Sequence, residues 1–262
     1  MNRTGLLIAL GLGAAVGLLF GIFPKLDLDL VRPFFDPAAG GFWVSFNPVF
    51  NGLRDLSRLI VTILAAPAVL AIVGKLILPR RPMQVPGRAA VLMITTLALG
   101  PGLVTNLILK NHWGRPRPID VTAFAGDQQF APWWDPRGAC LENCSFVAGE
   151  PSGAFWTLAP AALAPPAWRP LAYAVAIVFG AGVGLVRMAG GGHFFSDIVF
   201  AGIFTFLIIW LMHGCIFRWR ATRITDRAVE RALEWLVLPP HGVVVRRLPG
   251  RPPPASKTRE GG

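Results

Sequence analysis

The sequence predicts an all-α, polytopic membrane protein with about six transmembrane helices. Three observations carry that reading. Of 262 residues, 53% are hydrophobic and only 15% charged, whereas soluble domains carry about 25% charged residues. Mean hydropathy is +0.54. Apolar stretches of spanning length, about 17–25 residues, recur near 4–23, 57–78, 89–109, 147–165, 171–187 and 194–217.

The first stretch follows a short basic start at Arg3 and has no small-x-small cleavage site before Pro24, so it reads as an anchor rather than a removed leader. Residues 24–56 form the first outer loop. Its aromatics, Phe34, Phe35, Phe42, Trp43, Phe46 and Phe50, suit an interfacial collar. The fourth and fifth stretches are rich in Ala, Gly and Pro, and Pro165, Pro166 and Pro170 mark the turn between them. Residues 1–217 form one membrane domain and 218–262 a basic tail. Within the tail, 224–238 is amphipathic: Val229, Ala232, Leu233 and Leu236 share one face, and Arg227, Glu230, Arg231 and Glu234 face away. That pattern fits a helix lying on the inner leaflet. Beyond 239 the chain is Pro-rich, basic and expected to be disordered.

The net charge is +11. Loops flanking the spans account for it, so no nucleic-acid partner is expected. Arg3, Lys75, Arg80, Arg81, Arg88, Arg169 and ten basic residues from Arg218 onward fall on one side. That bias puts both termini in the cytoplasm and the opposite loops in the periplasm or exterior. Cys140, Cys144 and Cys215 show no CxxC pair or zinc spacing. Cys140 and Cys144 share one outer loop and are either bridged or free thiols. No metal or cofactor is expected.

Three polar clusters remain. Lys110 ends an outward-running span, followed by Arg117-Pro118. Ser145 through Gly153 starts an inward-running span. Arg187 ends the next outward one, and His193 and Asp197 begin the last. All three clusters therefore meet at one membrane face. Lys110, Arg117 and Arg187 with glycine-rich backbone, Gly149 included, suit a phosphate group. His193 and Asp197 are four apart and share a helical face. A carboxylate on one imidazole nitrogen would leave the other free to attack phosphorus without a metal. A single such residue at a span end is ordinarily a snorkelling anchor or structural histidine, as His112 and His213 are read here. A joint cluster at a membrane face is functional by default.

The spacing resembles the type 2 phosphatidic acid phosphatase superfamily, whose motifs run K-x6-R-P, P-S-G-H and S-R-x5-H-x3-D. Lys110, Arg117 and Pro118 match the first; Arg187, His193 and Asp197 match the third, with Val186 in place of its serine. The resemblance implies a six-span fold, phosphate binding by Lys110, Arg117 and Arg187, attack by His193 and orientation by Asp197. In the family the middle-motif histidine protonates the leaving oxygen. Here two registers are open. One aligns Ser145-Phe146 and puts Glu150 at the histidine position; the other uses Pro151-Ser152-Gly153 and puts Ala154 there. The first keeps an acid–base group and is adopted. The expected function is hydrolysis of a phosphomonoester or diphosphate of a membrane lipid, with the bilayer as its setting. The location implied is a bacterial inner membrane with a periplasmic active site. A lipid phosphotransferase and a non-catalytic lipid-binding relative are the alternatives.

Overall fold

The computed structural model describes residues 2–238; the expected disorder beyond 239 lies outside them. Helix α1 (Arg3–Ile22) starts where the Asn2 side chain accepts from the Gly5 amide. A short helix α2 (Lys25–Val31) and a small hairpin, β1 (Phe35–Asp36) against β2 (Gly41–Phe42), follow. Helix α3 (Pro48–Ile77) begins well before the 57 expected from hydropathy. Asn47 caps it and Pro48 occupies its first turn. The polar first turns, with Asn51, Arg54 and Asp55, hid the start of the helix from an apolar search.

Helix α4 (Gly87–His112) widens into π-type turns over Ala98–Leu109, a stretch containing Pro101. Helices α7 (Arg169–Ala189) and α8 (Phe195–Arg218) complete, among the described residues, a set of five helices long and apolar enough to cross a membrane: α1, α3, α4, α7 and α8. The expected fourth span is not continuous. It folds as α5 (Gly149–Phe155) and α6 (Leu158–Leu163). Pro160 has no N–H to give Trp156, and Ala159 takes that carbonyl instead in a tighter turn. The break lies inside the bundle, where the Trp156 indole donates to Thr96 Oγ1 and Met93 O.

Small residues let these helices approach. A Cβ on Gly180 would stand 2.2 Å from the Phe155 ring, and one on Gly184 2.2 Å from Ile198. One apolar cluster, with Phe146, Phe155, Phe194 and Phe200, underlies the polar end of the bundle. A second, around Trp156, Met93 and Ile209, joins α3, α4, α6 and α8.

Two expectations about the periphery are corrected. Phe42 is buried and packs with Phe35 and Phe124, so these rings belong to the protein's own core and not to a lipid-facing collar. The tail helix α9 (Asp226–Val237) turns Glu230 and Glu234 inward. Lys75, buried at the end of α3, needs counter-charge, and Glu234 supplies it at 2.6 Å. Leu236 of the expected apolar face is exposed, as is Trp235.

Candidate active site

The residues at the ends of α4, α5, α7 and α8 meet at the polar end of the bundle. Gly191, with φ +69°, lies against the Phe42 ring, and Gly192 against the Arg187 guanidinium. The triple glycine is therefore a site of close approach. It delivers His193 just before α8, and the Asp197 carboxylate accepts from the Phe194 amide at the helix start.

His193 is buried, and its Nδ1 lies 2.7 Å from the Ser145 carbonyl oxygen. A carbonyl only accepts, so Nδ1 carries the hydrogen and Nε2 keeps the lone pair. Burial holds the imidazole well below its ordinary pKa, and Arg187, Lys110 and Arg117 push it the same way. Both effects favour the neutral ring. Asp197 does not contact it directly, lying 4.0 Å from Nδ1. The direct carboxylate–imidazole bond expected from the spacing is absent because Asp197 is committed elsewhere. It accepts from the Ser145 hydroxyl and from Arg115. Asp197 thus reaches His193 through Ser145, whose carbonyl holds the ring.

Arg115 was not singled out in the sequence. It is fully buried, bridges Asp197 and Asp27, and donates to Ala131 O. Its guanidinium also lies over the Phe194 ring at 4.4 Å. Ser196 donates to Asp27 from both its amide and hydroxyl. The network ties α2 and the loop after α4 to the start of α8.

Lys110 and Arg117 point to a common neighbour. Lys110 donates to Asn143 Oδ1 at 3.0 Å, and Arg117 donates from two nitrogens to Asn143 O. Gly149 opens α5 beside Lys110: a Cβ there would lie 3.2 Å from Nζ. Arg187 Nε is buried without a hydrogen bond, although it lies 3.2 Å from Glu150 Oε2. Proximity without directed bonding leaves this donor available to an anion.

Glu150 sits among these cations and Ser152 does not. Ser152 lies inside the bundle, 3.0 Å from Thr105 Oγ1 and 2.8 Å from Thr205 Oγ1. That placement supports the register that puts Glu150 at the middle-motif histidine. Its partners bear on the expected role as proton donor. Arg54 binds both oxygens, at 3.2 and 2.9 Å; Arg58 adds a third bond, and Arg187 stands beside them. Three guanidinium groups favour the ionised form of this carboxyl against the burial that opposes it. It anchors Arg54 and Arg187. Glu150→Gln is accordingly expected to slow alkyl and aryl phosphates by the same small factor, well short of the roughly 10²–10⁴-fold typical of a lost general acid. Ser152→Ala should lower thermal stability and leave the ratio of the two substrates unchanged. An alkyl-selective loss in Glu150→Gln would restore proton donation.

Residues 89–221 match the family described as the PAP2 superfamily. A lipid A 4'-phosphatase of Francisella tularensis subsp. novicida (strain U112) is 35% identical over 220 residues, 83% of this chain and 98% of that protein. A lipid A 4'-phosphatase of Rhizobium leguminosarum is 42% identical over 107 residues, 40% of this chain and 45% of that one. Among solved structures, a transmembrane PAP2 type phosphatidylglycerolphosphate phosphatase from Bacillus subtilis aligns with TM-score 0.45 and 20% identity, over 80% of this chain and 92% of that one.

Proposed function

The chain belongs to the PAP2 superfamily and is a membrane lipid phosphatase; from that premise we propose that it removes the 4'-phosphate of lipid A through a phosphohistidine on His193. The observation that carries the reading is the neutral, buried His193, its Nδ1–H given to Ser145, among Lys110, Arg117 and Arg187. The Nε2 lone pair forms a bond to phosphorus as the ester P–O bond breaks. The three cations take up charge on the non-bridging oxygens. With Glu150 held as a carboxylate, the departing oxygen takes its proton from water. A second water then displaces Nε2 and releases inorganic phosphate. No step routes through a metal.

The likeness in substrate rests on the Francisella relative, which this chain matches over nearly its full length. A groove of about 390 Å³ between α3 and α7, lined by Leu53, Leu56, Ile60, Val178 and Val186 with Arg54 among its walls, is apolar enough for an acyl chain. Purified protein in detergent with EDTA is expected to release phosphate from lipid A and to spare the 1-phosphate. Release from phosphatidate but not lipid A, or loss on chelation that added metal restores, would refute the respective part.

The site belongs, on this reading, to the periplasmic face of a bacterial inner membrane, with both termini cytoplasmic. The charge bias supports that, and so does the disulfide between Cys140 and Cys144 beside the site, which suits an oxidising compartment. In a Cys215→Ser background, Ala39→Cys should react with an impermeant thiol reagent on intact cells and Gln84→Cys only after lysis. The reverse pattern would invert the topology.

A further inference from the structure

We infer that Asn143, held by the Cys140–Cys144 disulfide, is a positioning residue that presets Lys110 and Arg117 for the phosphate. The inference rests on the phosphatase reading above. Two features single the residue out. The bridge closes a loop of five residues with the Cα atoms 5.7 Å apart, and Asn143 inside it has φ +52°, in the left-handed region that asparagine tolerates better than most side chains. That backbone turns its side-chain oxygen to Lys110 and its carbonyl to Arg117.

The rest of the loop is tied to the same centre. Cys144 N donates to Lys110 O at 2.9 Å and Ser145 N to Arg115 O at 2.8 Å. Ser145 O then accepts from His193. One short covalent ring therefore fixes the backbone that both phosphate cations and the nucleophile lean on.

The physical consequence is preorganisation. Lysine and arginine side chains lose the most rotamer freedom when a ligand orders them. Bonds to a neutral carbonyl and amide oxygen set their direction beforehand without cancelling their charge, which an acidic partner would do. Opening the ring frees Asn143 to leave the left-handed conformation, and both cations then have to be ordered by the phosphate itself.

The test uses the full chain in detergent with EDTA, oxidised or treated with a thiol reductant. Reduction is expected to weaken inhibition by inorganic phosphate about tenfold and to raise KM more than it lowers kcat. Cys140→Ser with Cys144→Ser should match the reduced protein and be insensitive to reductant. Asn143→Gly keeps the backbone conformation and the carbonyl to Arg117, so it should show only part of the loss. Calorimetric binding of inorganic phosphate needs no turnover and separates the two readings. Disulfide-dependent phosphate binding by a protein that hydrolyses no lipid would refute the phosphatase reading and keep this one. An active protein whose phosphate inhibition and KM ignore both the bridge and Asn143 would overturn the inference, as would a reductant effect that persists in the double serine variant. A serine variant that fails to fold leaves reduction of the native chain as the deciding measurement.

Discussion

His193→Ala is expected to lower phosphate release by at least about 10³-fold, because covalent catalysis loses its only nucleophile. The remaining cations still bind phosphate, so inhibition by inorganic phosphate should survive. The substitution also leaves a cavity at a buried position and an unpaired Ser145 carbonyl, which by itself could lower activity. His193→Gln separates the effects. Its amide can donate to Ser145 O as Nδ1 does, yet it supplies no nucleophile. Both variants should be equally inactive while the glutamine form melts closer to the native protein. Retention of more than about a tenth of the native rate by either one would remove His193 from the reaction.

The second large effect is on folding. Arg115→Leu should cost about 3–5 kcal/mol, the usual penalty for leaving buried charges without their partner. Asp27 and Asp197 both lean on this one guanidinium, and all three are excluded from water. Arg115→Lys should recover little, since a single ammonium cannot reach both carboxylates and the Ala131 carbonyl with Arg115's geometry. Adding Asp27→Asn to Arg115→Leu should restore part of the loss, as neighbours in one network are not additive. The measurement is the melting temperature in detergent and the folded yield from membranes. An Arg115→Leu protein that melts with the native one would show that the network carries no stability.

The signals that could be read in advance were those that stand out against an apolar chain. Lys110, Arg117, Arg187, His193 and Asp197 are conspicuous at the ends of hydrophobic runs, and counting crossings puts them on one face. Their partners were not visible. Asp27 is buried and Asp29, two residues on, is exposed on the same short helix. Residues two apart on a helix point to different sides, and Lys25-Leu-Asp-Leu-Asp-Leu30 does not say which side faces inward. Arg54 and Arg58 are one helical turn apart, but the apolar pattern put the span boundary between them and left Arg54 in a loop. Without them Glu150 looks like a free acid beside a phosphate site. With them it is the centre of an ion cluster. Proline placement told only half its story: Pro165, Pro166 and Pro170 marked a connection correctly, while Pro160 broke a segment whose composition alone read as continuous.

Helix α3 carries a partner at each end: Lys75 grips the tail helix, and Arg54 grips Glu150 at the site. The two are separated by 75 − 54 = 21 residues, about 31 Å at a rise of ~1.5 Å per residue, close to the ~30 Å hydrocarbon thickness of a bilayer. The helix is therefore held by ion pairs at two points about one bilayer's depth apart. A thicker or thinner bilayer cannot be met by sliding this helix alone; it has to tilt, or bend near Pro67. Either motion moves Arg54 against Glu150. Turnover in vesicles of graded acyl-chain length is therefore expected to pass through an optimum that detergent micelles do not reproduce, and a flat profile would show that the site is indifferent to bilayer thickness.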